Sequence, residues 1–430
     1  MCMLYKTSTN KLIEYMKRKV ITLMAFTLFL AGSIAQETNF ISRSAIRTAA
    51  PLIIDSLYNY WNTYVKFHPK DEVAWRNLYE VSECKVTHVL RVTSSWDSSN
   101  NYRKQLNVVG RMEQAIPGTY TFFYSAYDAY YLPPHEEQKL LEEMGNEAPF
   151  LYRGVYADSA IIHLPDHVLG DDYDTWAQYL ISKCDTVRLT DILTRYYESG
   201  LYPDEILQYH FNELQGMDEG GVYIGANECD IIGKLMLQLV LGVHKDKIIF
   251  TEQVYWNSEY IRNVFEQIGI PFKEGVWKQI HSSKQGRQQL LRYIYGHSMR
   301  PIYLSAHNMW DMERWPDEMK ACFYNEGLTM RYSEKPYDNM SVKRRNIEDR
   351  YRLEYLRMSF HPETKRNYRL YLGDASLYAM SYMYLLRDQL LYYKKYNRER
   401  YKWLYDIFAD IIVQIEKKGC DVEEFKNYLK

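Results

Sequence analysis

From Val222 onward the chain alternates short apolar runs with amphipathic stretches. Val222-Tyr223-Ile224 leads through Gly225-Ala226-Asn227-Glu228-Cys229-Asp230 into a helix-period segment. Ile248-Ile249-Phe250 precedes Asn257-Ser258, a cap for a second helix whose face carries Tyr260, Ile261, Val264, Phe265 and Ile268, with Gly269 and Pro271 ending it. Residues 284–295 read as a third helix through Leu290, Leu291 and Ile294, and Arg300-Pro301 opens a last run, Ile302-Tyr303-Leu304-Ser305. Apolar runs separated by helices of this length predict a parallel sheet with right-handed crossovers, its strands at 222–224, 247–250 and 301–305. A buried strand turning sharply into a helix is where open parallel sheets hold ligands, outside the carboxyl ends of the strands. Here that turn is acidic. It repels phosphate and suits a cation, a sugar hydroxyl or a basic partner.

The flanks follow the helical period. Residues 36–215 read as mainly helical: Leu57, Tyr60, Trp61 and Tyr64 share one spacing, Pro69 breaks it, and Ala74-Trp75-Arg76-Asn77-Leu78-Tyr79 restarts it. Pro, then Trp, then Leu at these intervals is half of a tetratricopeptide-like signature. Tyr202-Pro203-Asp204-Glu205 starts another helix, with proline and acids placed as a helix N-terminus favours. Residues 311–345 read as a loop-rich connection with Pro316 and Pro336, and Lys343-Arg344-Arg345 as a solvated helix start. Residues 346–430 then predict long helices, one through Leu377, Met380, Tyr384 and 387–391, the next striped by Trp403, Ile407, Ile411 and Ile415. The expected fold is therefore α/β with predominantly helical flanks. Its segments are a leader at 1–35, a weakly tetratricopeptide-like helical region at 36–215, a small parallel Rossmann-like domain at 216–310, and a C-terminal helical region at 311–430.

The run GGVYIGANECDIIGKLMLQLVLGVHKDKIIF, residues 220–250, resembles the soluble extracytoplasmic segment of protein O-mannosyltransferase-like membrane glycosyltransferases. That segment has an apolar strand, an acidic turn, a helix carrying Leu-Gln, then Gly-Val-Arg and an Asp before the next strand. Gln238 falls on the family's Gln, Glu228 and Asp230 on its two acidic positions, and Val243 and Asp246 fit as well. The pieces at 300–308 and 327–334 are also similar. Ala226-Asn227, Cys229 and His244 depart from the pattern, and the membrane half that would hold the glycosyl-transfer chemistry is not in this chain. The resemblance implies a shared domain over about 220–334, not a shared reaction.

Residues 16–35 have a different character. Lys17, Arg18 and Lys19 precede an apolar core at 20–30 and the small-x-small triplet Ser33-Ile34-Ala35, the pattern of a cleaved signal peptide, with Met16 as the expected start. The apolar core is shorter than the ~20 residues a span needs. A soluble exported protein beginning at Gln36, with no transmembrane segment after cleavage, is the expectation. Loss of residues 1–35 leaves 48 basic against 54 acidic side chains, net −6, which argues against nucleic acid or an anionic membrane surface as partner. Five cysteines remain (Cys84, Cys184, Cys229, Cys322, Cys420), an odd and widely spaced set without a zinc signature. Tyrosine is unusual at 42 against 15 Phe, and it is spread along the whole chain, as half-exposed helix faces would use it.

The candidate ligand-binding residues are Asn227, Glu228 and Asp230 after the first strand, Glu252 after the second, and His307 and Asn308 after the third. Such a mixed cluster binds a divalent cation or supplies an acid and a base; the competing expectation is that Asp230 caps a helix and Glu228 meets its dipole. His88, His135, His163, His167 and His210 lack a second ligand at helical spacing, so no metal is assigned to them. Signatures for nucleotide, serine-hydrolase and zinc-protease chemistry are missing. No cofactor is expected beyond a divalent cation at the acidic turn. Two functions follow: an exported non-catalytic binding or assembly protein whose partner is an envelope protein or glycan, and, as the alternative, a carbohydrate-active envelope enzyme centred on Glu228, Asp230 and His307.

Overall fold

The computed structural model describes residues 40–41, 43–145, 148–225, 228–251, 257–283, 285–305, 315–353, 375–417 and 421–430. The chain divides into two compact units, Met1–Leu169 and Gly170–Lys430. The described residues are mostly helical, with one small mixed sheet.

The described part of the first unit is helical throughout: α1 (Arg43–Ile46), α2 (Pro51–Phe67), α3 (Glu72–Thr93), α4 (Trp96–Leu106), α5 (Val108–Ala115), α6 (Tyr120–Asp128), α7 (Glu137–Met144) and α8 (Ala148–Ile162). Pro51 opens α2 where its missing N–H costs nothing, and Asp71 caps α3 by accepting from the Ala74 amide. The Pro69-to-Trp75 spacing has a local cause: Trp75 Nε1 donates to the Pro69 carbonyl at 2.9 Å and closes the α2–α3 turn. Ile41, Ile46, Ile54, Val81 and Cys84 form a core under α2, joined by Leu57 and Trp61. Burial pushes the Cys84 thiol up to about 12.

The second unit begins with α9 (Gly170–Ser182), α10 (Thr186–Glu198) and α11 (Asp204–Gly216), so these helices belong with the sheet. Then follow β1 (Val222–Gly225), α12 (Glu228–Leu239), β2 (Ile248–Thr251), α13 (Ser258–Ile268), α14 (Glu274–Ser282), α15 (Gly286–His297) and β3 (Ile302–Ser305). β1 pairs parallel with β2 on one side and with β3 on the other. Asn257 caps α13 by accepting from the Glu259 and Tyr260 amides, and Gly269 ends it at φ 84°.

Three expectations need correction. The sheet is mixed rather than purely parallel, in the order β2-β1-β3-β5-β4, because 311–345 is not a loop-rich connection. It holds α16 (Asp317–Lys320), β4 (Phe323–Asn325), β5 (Thr329–Tyr332) and α17 (Asn339–Arg345), with β5 antiparallel to both β3 and β4. Second, Lys343-Arg344-Arg345 closes α17 instead of starting a helix, and a π-helical turn, Asn346–Arg350, continues directly from it. Lys343 is buried and reaches Asp388 at 3.3 Å. Third, in α18 (Ala375–Tyr396) Tyr384 and Leu391 are 48% and 47% exposed. The buried face runs instead through Tyr382, Met383, Leu386, Leu390 and Tyr393, and Leu377 and Met380 have side chains outside the described set. In α19 (Arg398–Lys417) Ile407, Ile411 and Ile415 are buried as their spacing implies. A short α20 (Glu423–Lys426) follows, with Phe425 buried.

Candidate functional site

The parallel register sets three strand ends on one edge. Gly225 pairs with Thr251, and Ile224 pairs with Leu304, one residue before the end of β3. The carboxyl ends of β1, β2 and β3 therefore share one edge of the sheet. Of the candidate residues, Asn227, Glu252, His307 and Asn308 lie outside the described residues, and so does the side chain of Glu228. Glu228 opens α12, which places Asp230 inside the first turn rather than at the cap. Asp230 is 3% exposed.

Directly behind Asp230, α11, α12 and β1 enclose an ionic cluster that the sequence reading did not single out. His210, Glu213 and Lys234 are all fully buried. Lys234 Nζ donates to Glu213 Oε2 at 2.5 Å and to the Asp230 carbonyl at 2.6 Å, and stands 2.8 Å from His210 Nδ1. Its ammonium also lies 4.1 Å from the Tyr223 ring centroid, a cation over a π face. His210 Nδ1 is 2.9 Å from Glu213 Oε2 as well. Burial works to raise the Glu213 carboxyl, but the Lys234 ammonium and the His210 contact outweigh it and hold the group at about 2. Burial and the same ammonium push His210 below its ordinary value, so the imidazole is neutral near pH 7. Nδ1 lies within reach of both the ammonium and the carboxylate, so it accepts from Lys234 in one tautomer and donates to Glu213 in the other. Gly233 permits this geometry. A Cβ there would overlap the Tyr202 hydroxyl and His210 Cδ2, so α12 approaches α11 only because the position is glycine.

Two signals for this cluster were present in the sequence. His210 and Glu213 stand three apart, on one helical face, and Lys234 interrupts the apolar run Ile231-Ile232-Gly233-Lys234-Leu235-Met236. A third group is buried at the start of α9: Asp171 and Asp172 in its first turn, where the helix dipole favours carboxylates, and Asp174 just beyond it, at 7%, 0% and 4% exposure. Aspartates at a helix start read as a solvated cap, which hid them.

The residues carrying the glycosyltransferase resemblance brace the entry to β2. Gln238 Nε2 donates to the carbonyls of His244 and Lys247, both at 2.8 Å, and Asp246 Oδ2 accepts from the Gly220 amide at 3.1 Å. His244 takes a left-handed backbone at φ 55°. Among the described residues no group of three or more His, Cys, Asp or Glu is arranged to hold a metal ion, and no helix is long and apolar enough to cross a membrane. No family model, curated protein or solved structure matches this chain.

Proposed function

We propose that the protein is an exported, non-catalytic binding protein of the cell envelope, which engages a glycan or envelope partner at the carboxyl edge of β1, β2 and β3. The observation that carries this reading is the state of Lys234. Its ammonium is fully buried, donates to Glu213 and to the Asp230 carbonyl, and stands 2.8 Å from His210 Nδ1. A committed ammonium is no nucleophile or base, and a carboxylate held at about 2 is no proton donor near neutrality. The charged groups behind the edge thus serve as a brace for the turn that meets the ligand. The parallel strands with their crossover helices support a Rossmann-like description of this half, and the α2–α3 hairpin a tetratricopeptide-like description of the other. Export rests on the basic, apolar and small-residue succession at 16–35; N-terminal sequencing of secreted protein should begin at Gln36.

The test is a thermal melt of the mature chain with calcium, magnesium and a panel of envelope glycan fragments, with product formation followed in the same samples. Ligand-induced stabilisation that a Glu228→Asn/Asp230→Asn double substitution removes, with no product formed, is the expected result. Product formation abolished by that double substitution would establish the carbohydrate-active enzyme instead. No shift with any ligand would remove the strand edge as a site.

A further inference from the structure

A second site is built into the helical first unit. α3, α4, α5 and the segment between α6 and α7 surround a cleft of about 230 Å³. That is below the roughly 300 Å³ at which sites for drug-sized ligands begin, and at ~30 Å³ per water it holds about eight waters, room for a single ring. Its charges cancel in pairs. Arg103 forks onto Glu83 through Nε at 2.8 Å and Nη2 at 2.7 Å, and Lys104 lies 3.6 Å from Glu137. An anion such as a phosphate or carboxylate finds no surplus cation there. The phenols are also committed: Tyr79 donates to Asp128 at 2.8 Å and Tyr131 to Glu113 at 2.7 Å, so what these side chains offer the cleft is ring surface.

The backbone is strained at two points of the wall. Asn107, between α4 and α5, has φ 46°, and Tyr130 has φ 54°. Asparagine tolerates this region, whereas a bulky aromatic there is an outlier that the surroundings must enforce. They do so through Arg153, whose guanidinium lies 3.9 Å from the ring centroids of both Tyr127 and Tyr130. The outcome is an aromatic ring pinned at the cleft while remaining 37% exposed. Val108, Val109 and Leu132 add apolar wall. Glu83 accepts one hydrogen on each oxygen and retains lone pairs for more.

We propose that this cleft binds one ring of a neutral saccharide, the sugar's apolar face on the Tyr130 side and its hydroxyls toward the Glu83–Arg103 fork. A flat apolar face, a rim of hydroxyls and no net charge is what the cleft accommodates, and the proposal does not rest on the strand-edge reading. The test is saturation-transfer NMR with titration calorimetry on the mature chain, using methyl glucoside, methyl galactoside and N-acetylglucosamine. Glucuronate, glucose phosphate and N-acetyltyrosine amide serve as charged and aromatic competitors. Saturable millimolar binding of at least one neutral sugar is expected. Tyr130→Asn, which keeps a residue tolerant of positive φ but removes the ring, should weaken it about tenfold without lowering the melting temperature. Leu106→Trp, which fills the cleft and leaves Tyr130 in place, should abolish it. Absence of neutral-sugar binding, tighter binding of a charged sugar or the tyrosine amide, or indifference to both substitutions would overturn the proposal. The Glu228→Asn/Asp230→Asn variant should bind these sugars in this cleft unchanged, which separates the two sites.

Discussion

The two units bury charge in different ways. In the first, α3 carries Arg76, Glu80 and Glu83 nearly out of water, and each carboxylate meets a guanidinium. Arg43 reaches Glu80 at 2.7 Å and Asp128 at 2.6 Å, Arg76 reaches Glu80 at 2.8 Å, and the Arg76 guanidinium lies 3.5 Å from the Tyr124 ring centroid. In the second unit, beside other buried charges such as Asp171, Asp172 and Lys343, Lys234 is gripped by a carboxylate, an imidazole and a carbonyl. Arginine is planar, forked and charged at any pH a protein survives, so its pairs spread along a helix surface and share partners. Lysine is a point charge, and the His210 imidazole and the Glu213 carboxyl beside it are both held below their ordinary pKa values. One unit holds its charge by geometry, the other by protonation state.

Breaking the lysine knot should have the largest effect. Lys234→Met leaves the Glu213 carboxylate buried without its ammonium, at an expected cost of roughly 3–5 kcal/mol, and adding Glu213→Leu should recover most of it, because removing a whole buried pair is often neutral. Urea unfolding of the two variants checks this; a single variant as stable as the wild type would mean the cluster contributes nothing. Acid comes next. Glu213 sits at about 2 against an ordinary 4.5, and a carboxylate depressed on folding contributes stability above its unfolded value that is lost as pH falls through the folded one. The loss between pH 4.5 and pH 2 should be on the order of 3 kcal/mol. It should be preceded by a decline below pH 6.5, where the unfolded chain protonates its histidine and the folded one resists. Amide exchange, corrected for intrinsic rate at each pH, should show protection at Tyr223 falling with acid before protection at Val81. The reverse order would erase the contrast between the units.

Gly233→Ala should cost about 1–3 kcal/mol by forcing α12 away from α11. It should also raise the acid sensitivity of Tyr223 protection, because the knot is loosened; a melt unchanged by the substitution would show that the helices part freely. Smallest is Arg76→Lys. It keeps the charge but loses the planar contact over Tyr124 and the fixed direction of the Glu80 bond, an expected cost of about 1 kcal/mol with no new pH dependence. A larger loss, or one that varies with pH, would mean the first unit also depends on protonation.

What could be read from the sequence depended on whether a signal was local. β1, β2 and β3 stood out because each is an apolar run next to a cap or a turn, and Asn257 and Gly269 bound α13 by their own chemistry. β4 and β5 did not. They are three and four residues long, they flank the buried Glu326 and Gly327, and β5 pairs not only with β4 but with β3, which begins twenty-one residues before β4. Strands that short carry little alternation of their own, and the β5–β3 pairing that joins them to the sheet lies outside any short window on the chain. The misread face of α18 has the same origin, since a helix rich in Tyr and Leu all round can bury more than one stripe and its neighbours choose which. At the candidate site, the convergence of strand ends followed from topology alone. The lysine knot required knowing that α11 meets α12, and the Tyr130 cleft required a backbone conformation that composition does not reveal.

The buried Cys84 gives the first unit a chemical clock. A thiol that releases its proton only near 12 is almost never a thiolate at neutral pH, and the thiolate is the form that attacks alkylating reagents and disulfides. Covered by α1 and α2, it is out of reach of reagents while the fold is closed. Each opening of those helices exposes it for as long as the opening lasts. The labelling rate of Cys84 with an excess of reagent is then a direct count of how often this part of the molecule comes apart, needing no denaturant and no substitution.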